Sequence, residues 1–526
     1  MSTHHRQARF AARSFRKTIV GVLAGVLAAS MMMAGVSSAS ADSAPVNPAD
    51  PKTPVTVTAD ALPTVQIDGV VWQQIVVGDT VYAAGSFTTA RPAGSPAGVN
   101  TVTRNNVLAY DIRTGELIDS FAPDLNGEAV AIASSPDGSR IYVGGSFTSV
   151  NGAKVWRVAA LDAATGALIP SFAPKMDASV RAIVTVGDRV YLGGVFSSVG
   201  TVSRSKLAAF DAADATLLEW NPVANTGRVN ALSLSPDGTK MVVGGTFTTL
   251  NGSSRPGFGL GAVDTVAGAS LPFPINDVVR NGSNHGSITS LTSDGTFVYG
   301  SGYTFGRTST LEGVFSVRWS DFSTNWIQDC HGDTYSVYAA EQVVYTAGHA
   351  HYCGNIGGFP QENPWTFNRA LAFSKQATQT VTADPHGYTS YTGTPAPSLL
   401  TWFPSIIDGT YTGQSQGAWS VAGNSEYVVM GGEFPVVNGR EQQGLVRFAA
   451  RDKAPNLRGP RVTGANFNPT LVSPAAGIVR VRWQANWDQD NKNLTYSVLR
   501  DAATIHTTSQ ESTFGNAPQW RTSTPG

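Results

Sequence analysis

The sequence predicts an all-β protein whose main part is a seven-bladed β-propeller, and three observations carry that prediction. Charged residues make up only 14% of the 526-residue chain, while Gly (55) and Pro (29) are plentiful. This is a turn-rich composition that stays below the Gly and Pro content of low-complexity disorder. A Gly-Gly-x-Phe-like element recurs along the chain, and each copy sits in the same succession of short apolar runs and turns. The net charge of −1 argues against a partner such as nucleic acid, which demands a dense field of cations.

The N-terminus reads as an address. Arg6, Arg9, Arg13, Arg16 and Lys17 precede an uncharged stretch from Thr18 to Val36, and Ala39-Ser40-Ala41 closes it. A basic start, an apolar middle and small residues at the end predict a secretory signal peptide over 1–41. A membrane anchor is the rival reading, since the uncharged run is about long enough to span a bilayer, but Ala, Gly and Ser dilute its apolarity. No later stretch is apolar enough to span, so the expected product is exported and not integral in the membrane. Residues 42–60 hold four prolines and read as a Pro-rich leader.

The repeated element appears as Ala84-Gly85-Ser86-Phe87, Gly144-Gly145-Ser146-Phe147, Gly193-Gly194-Val195-Phe196, Gly244-Gly245-Thr246-Phe247 and Gly431-Gly432-Glu433-Phe434. Degenerate copies at Ser301-Gly302-Tyr303 and Ala347-Gly348-His349 bring the total to seven. Ahead of each, a run such as Val229-Asn230-Ala231-Leu232-Ser233-Leu234 alternates like a half-buried strand. A turn follows, as in Ser135-Pro136-Asp137-Gly138 and Ser235-Pro236-Asp237-Gly238, where Gly supplies the positive φ of a tight hairpin. The second strand, Ile141-Tyr142-Val143 for example, ends in the glycine pair, which marks a bulge or a close backbone approach. Asn151-Gly152 and Asn251-Gly252 turn toward a third strand, and Thr114-Gly115 and Thr165-Gly166 toward a short fourth. Four antiparallel strands per repeat make one propeller blade.

The two ends of the repeat region predict its closure. In the last copy the third strand, Gly444-Leu445-Val446-Arg447-Phe448, runs into Asp452-Lys453-Ala454-Pro455 without a fourth. Ahead of the first copy, Ala61-Leu62-Pro63-Thr64-Val65 mirrors the fourth-strand segment Ala167-Leu168-Ile169-Pro170-Ser171. The expectation is a propeller over 61–452 with N-terminal strand closure, which leaves only short, protected edges. An open β-solenoid or a pair of sandwiches is the alternative. At these residues the chain resembles secreted bacterial β-propeller proteins of the delta-60-repeat type, often actinobacterial and followed by fibronectin type III or similar surface modules. The resemblance covers about residues 61–450 and implies fold and setting but no reaction.

From Gly459 the pattern changes. Val479-Arg480-Val481-Arg482-Trp483 alternates, a polar turn follows, and Leu494-Thr495-Tyr496-Ser497-Val498 alternates again. An inward Trp, a turn and an inward Tyr look like two strands of a fibronectin type III-like β-sandwich. The module, 459–526, is expected to be partial, since the later strands are missing from this stretch. Asp488-Gln489-Asp490-Asn491-Lys492-Asn493 offers oxygens to a cation but lacks the Gly and distal Glu of a calcium loop, so it reads as a polar turn.

Candidate site residues gather in the sixth repeat. Cys330 and Cys353 are the only cysteines. Both fall at the open end of one hairpin, which predicts a disulfide in an exported chain. The same end collects His331, Asp333, His349 and His351. A His-x-His pair on an extended strand shares a face, so zinc is one reading. Packing around the disulfide is a second, and binding of a small ligand a third. No metal is assigned. Insertions at Gly354–Asn368, with Trp365 and Phe367, and at Ser374–Gln416, with Trp402 and Phe403, are long loops of the kind that carry function. Their aromatics either stack on sugar rings or cap the blade. The ligand-binding set is therefore His331, Asp333, His349, His351 and Trp365.

No nucleophile elbow, phosphate-cradling loop or metalloprotease helix is present, so no catalytic residue and no cofactor is assigned. The leading expectation is a secreted or cell-surface recognition or adhesion protein that binds an extracellular glycan or protein. The alternative is a polysaccharide-acting hydrolase of glycosidase type with an accessory fibronectin-like module.

Overall fold

The computed structural model describes residue 47, residues 49–305 and 309–511, and the backbone of 520–523. The expected signal peptide lies outside the described residues. Among them, helix is limited to three short 3-10 turns, Pro274–Asp277, Gly354–Ile356 and Gly464–Asn466. The fold is all-β and propeller-like.

Antiparallel sheets of three or four strands follow one another along the chain. Their first strands are Val70–Val77, Ala129–Ser134, Val180–Val186, Val229–Leu234, Gly286–Ser293, Thr334–Ala339 and Ala418–Gly423. Within a sheet, chain order is also pairing order. Val180–Val186 pairs with Arg189–Gly194, and that strand pairs with Leu207–Asp211. Each first strand touches the first strand of the next sheet, and Ala418–Gly423 touches Val70–Val77. The fourth strand is shorter than the repeat suggests. It is a strand in two sheets, Ser270–Leu271 and Thr324–Gln328, and elsewhere a single bridge, as at Leu161↔Leu168 and Phe210↔Leu217. Pro170 stands just past the first of these bridges, and proline cannot donate to a ladder.

The glycine pairs follow from backbone crowding. Opposite the pair, the first strand of every one of these sheets carries a β-bulge, for example between Val180 and Ala182 and between Thr334 and Ser336. A Cβ on the second glycine would collide with the carbonyl oxygen of the residue just ahead of the bulged strand: Glu128 at Gly145, Ser179 at Gly194. The first glycine lets the neighbouring sheet approach. Gly193 faces Val229 of the next sheet, and Gly431 in the last sheet faces Val71 in the first.

The core lies between successive sheets. A Tyr from the second strand meets an aromatic ring from the fourth-strand segment edge-on, at 5.0 Å for Tyr82–Phe121, Tyr142–Phe172 and Tyr191–Trp220. The same packing joins last sheet to first, where Val71, Leu108 and Tyr110 cluster with Val429 and Leu445.

Residues 56–60, read from sequence as the end of a leader, are buried. The segment runs along the strand Leu445–Ala449. Thr58 N–H donates to the Ala449 carbonyl and Leu62 N–H to that of Arg447, both at 2.9 Å, and Leu62 and Arg447 form an antiparallel bridge.

Beyond residue 459, Thr470–Ala475, Ile478–Gln484 and Trp520–Ser523 form one sheet, and Asn493–Arg500 pairs with Ala503–Glu511. Trp483 is buried 5.7 Å from Tyr496. The polar turn Asp488–Asn491 is buried, and several of its groups hydrogen-bond to residues earlier in the chain. Phe403 N–H donates to the Gln489 carbonyl at 2.8 Å, Gln489 Nε2 donates to the Phe403 carbonyl at 2.9 Å, and Arg451 Nη2 donates to the Asp490 carbonyl at 2.8 Å. The Asp490 carboxylate accepts from Ala59 N–H.

Candidate functional site

The candidate site is built where the strand Val343–Ala350 ends. Cys330 and Cys353 are joined in a disulfide across 23 residues of chain, and His331 and Tyr352 bridge beside it. Replacing both cysteines by serine is expected to lower the unfolding free energy by about 3 kcal/mol, from the loop-closure entropy returned to the unfolded chain. Urea denaturation checks this, and an unchanged midpoint would mean that the bridged loops are held by their packing alone.

His331 sits among three carboxylates. Its Nδ1 lies 3.7 Å from Glu312, and its Nε2 lies 3.3 Å from Asp384 and 4.0 Å from Asp329. The ring stacks on Tyr388 at 4.1 Å and on Tyr352 at 5.8 Å. His331 Nε2 makes no hydrogen bond, although the Asp384 carboxylate lies nearby. Asp329 accepts from Asn355 Nδ2 at 2.8 Å. Burial pushes its carboxyl up to about 7; His331 opposes this, while Asp384 and Glu312 add to it.

A second group lies beside the first. Burial, then the charge of Glu312, push Asp333 up to about 7. Tyr335 donates its hydroxyl to Asp333 Oδ2 at 3.1 Å, and His349 Nδ1 lies 3.2 Å from that hydroxyl and 2.9 Å from Gln416 Oε1. Burial pushes His349 down and His351 down to about 4, so both rings favour the neutral form at pH 7. His351 stacks on Trp365 at 4.0 Å. The two histidines thus face different partners, and among the described residues no set of three or more His, Cys, Asp or Glu is arranged to hold a metal ion.

Five buried polar atoms here have no hydrogen-bond partner: Gln328 Oε1, Asp329 Oδ1, His331 Nε2, His351 Nδ1 and Asn355 Oδ1. Leaving such groups unpaired costs about 1–3 kcal/mol each, and a cluster of them in one place calls for a functional account. At the rim, Trp365 is 49% and Phe367 40% exposed, whereas Trp402 and Phe403 are buried. The first pair offers ring faces to solvent, and the second caps the sheet.

The five residues singled out from sequence form one neighbourhood. His331 and His351 share Tyr388, His349 and His351 both contact Phe367, and Asp333 reaches His349 through Tyr335. Sequence reasoning missed Glu312, Asp329, Asp384, Tyr352 and Tyr388. Asp329 adjoins Cys330, and Asp384 lies in the long insertion, so both stood next to recognised signals.

Fold and site define an all-β, propeller-like protein that carries a buried histidine–carboxylate cluster under exposed aromatic rings. No protein-family model matches the sequence, and no curated protein matches it. Solved structures do. A chain of the mitotic checkpoint complex is similar at 12% identity over 78% of this chain and 97% of that one, with a TM-score of 0.44. A chain of Kuenenia stuttgartiensis hydrazine synthase is similar at 12% identity over 69% of this chain and 92% of that one, with a TM-score of 0.39.

Proposed function

We propose that the protein is an exported, non-catalytic recognition protein, a closed seven-bladed propeller that binds an extracellular glycan at the His331–Trp365 face. Closure is supported by the contact of Ala418–Gly423 with Val70–Val77 and by the pairing of Leu62 with Arg447. Export is supported by the pattern of residues 1–41 and by the disulfide, a bond that persists in oxidising compartments. Among the described residues no helix is long and apolar enough to cross a membrane.

The observation that carries the glycan reading is the exposed Trp365 ring, backed by His351 and set over a cluster of buried, unpaired polar atoms. Ring faces suit the C–H surface of a sugar, and polar groups beneath them suit its hydroxyls. On a glycan array the purified protein is expected to retain a defined set of oligosaccharides. Trp365→Ala should weaken the best of them about tenfold in titration calorimetry, the equivalent of about 1.4 kcal/mol. Equal affinity in the variant would remove Trp365 from the site, and an array without hits would remove the glycan.

One observation favours hydrolysis as the second reading. Burial pushes Asp329 and Asp333 up to about 7, so a protonated carboxyl is available near neutral pH, which is what a general acid requires. Release of reducing sugar, lost in Asp329→Asn or in Asp333→Asn, would move the protein to that class.

A further inference from the structure

The repeated bulge does more than relieve crowding. Each bulge sets one residue of the first strand outside its ladder, and bulges re-aim side chains in this way. The residues so displaced line one polar cavity of about 410 Å³ bounded by the first strands. In Thr334–Ala339, Ala418–Gly423 and Val70–Val77 the displaced residue is aromatic: Tyr335, Trp419 and Trp72. In the remaining first strands it is Val130, Arg181, Asn230 or Thr289. The three aromatic positions are neighbours in space, because those three strands touch in that order. Rings therefore line one side of the cavity.

Those rings continue without a break to Trp365. Centroids lie 5.1 Å apart for Trp72–Trp419, 4.2 Å for Trp419–Tyr335 and 5.8 Å for Tyr335–His349. The next steps are 5.5 Å for His349–Phe367 and 6.4 Å for Phe367–Trp365. Tyr335 is buried, Trp72, Trp419 and His349 are half-buried, and Phe367 and Trp365 are exposed. The track thus has an accessible platform at each end and a packed link between them. A further exposed ring, Tyr411, joins the cavity end. Its Oη lies 3.1 Å from Ser86 Oγ in the first sheet. The next residue, Thr412, donates its N–H and its hydroxyl to the Glu433 carboxylate at 2.7 and 2.6 Å. Glu433 also accepts from Trp419 Nε1 at 3.2 Å, so one buried carboxylate ties the tip of the long insertion to the Trp419 ring.

Two features of the track select its ligand. The first is that carboxylates fix both indole edges: Trp72 Nε1 donates to Glu128 at 2.7 Å, as Trp419 Nε1 does to Glu433. Ring faces suit the C–H surface of a sugar, and carboxylate oxygens at their edges suit its hydroxyls. A single-stranded nucleic acid also stacks on rings, but it requires cations along its backbone, and carboxylates at these edges repel it. The second feature is spacing. Two platforms set apart along one line of rings match a chain of sugar units, not a single terminal unit.

We propose that the track from Trp365 to Trp72, with Tyr411, is an extended site for a linear, neutral oligosaccharide, whose units occupy a Trp72–Trp419–Tyr411 subsite as well as the one at Trp365. This rests on the glycan reading above and adds to it the shape of the ligand and a second subsite.

The test is calorimetric titration of the full chain with cellohexaose, chitohexaose, maltohexaose and xylohexaose, each alongside its own disaccharide. At least one hexasaccharide is expected to bind about tenfold tighter than its disaccharide. Tyr411→Ala, at an exposed position, and Trp419→Ala should each weaken the hexasaccharide about fivefold and leave the disaccharide within about twofold. Hydroxyl-radical footprinting of the unaltered protein needs no variant and so stands even if one misfolds. The hexasaccharide should slow oxidation of Trp72, Trp419 and Trp365 together. Equal affinity for hexasaccharide and disaccharide, or protection of Trp365 without Trp72 and Trp419, overturns the extended site and leaves a single glycan subsite standing. No saturable binding by any of the four sugars also overturns it, while the array decides the glycan reading on its own. An oligothymidylate that protects Trp72 and Trp419 where no sugar does would replace the oligosaccharide with a nucleic acid.

Discussion

Arg447→Ala is expected to lower the unfolding free energy by about 5 kcal/mol and to release the N-terminal segment from the last sheet. Arg447 is buried and its guanidinium is shared between the N-terminal segment and the first sheet. Nη2 donates to the Pro63 carbonyl at 2.6 Å, Nε to Thr64 Oγ1 at 3.3 Å, and Nη1 to the Ile112 carbonyl in the first sheet at 2.5 Å. Truncation leaves three acceptors unpaired in a dry place, at about 1–3 kcal/mol each, and a cavity besides. The surrounding bonds belong to the same seam: Gln442 Nε2 donates to the Thr64 carbonyl at 3.0 Å and Asn438 Nδ2 to the Ala59 carbonyl at 2.7 Å. Urea denaturation gives the loss, and amide exchange over residues 57–67 shows where it falls. A loss below about 1 kcal/mol, or undiminished protection in that segment, would mean that the ring proposed here is not fastened at this seam.

The second large effect is a fall in stability between pH 5 and pH 8. Asp329, Asp333 and Asp490 are each pushed up to about 7, with burial the first cause in every case. The folded protein thus keeps protons that an unfolded chain releases near pH 3.9. Stability is gained as pH falls from 7 toward 4, and above 7 the full cost of three buried charges stands. The histidines work against this. His351, pushed down to about 4, and His349, also pushed down, give stability above about pH 6.5 that is lost as pH falls through their folded values. Three carboxyls outweigh two histidines, and the carboxyl effect begins at the higher pH. The thermal midpoint should therefore be several degrees higher at pH 5 than at pH 8. Asp329→Asn and Asp333→Asn, which mimic the protonated form, should each raise stability at pH 8, with a ceiling on the order of 4 kcal/mol, and flatten the profile. A midpoint that is level or rises toward pH 8 contradicts the assignment.

Both effects come from residues whose roles differ in how visible they were. Leu62 stands out in the sequence because it mirrors Leu168, a match of local pattern. Arg447 does not, since an arginine in a strand named Leu-Val-Arg-Phe reads as a solvent-facing position until the segment from the N-terminus is laid over it. The hairpins at Asp137-Gly138 and Asp237-Gly238, the bulges opposite Gly145 and Gly194, and the Cys330–Cys353 bridge were all legible. Each depends on turn chemistry, on crowding around a missing Cβ, or on a hairpin's geometry, and those are properties of a few consecutive residues. The fourth-strand segment at Ala167–Ser171 was legible, but its pairing stops at the single bridge Leu161↔Leu168, because Pro170 cannot donate to a ladder.

Local pattern was enough to place the repeat, the order of strands within each sheet and the end of the hairpin where the histidines gather, because spacing, alternation and glycine placement act over short distances. Tertiary packing alone brings Glu312, Asp329 and Asp384 around His331 and buries the turn Asp488–Asn491. Those outcomes depend on which loops from distant parts of the chain reach the same volume, and on the dielectric that burial creates there, and neither is written in any local stretch of residues.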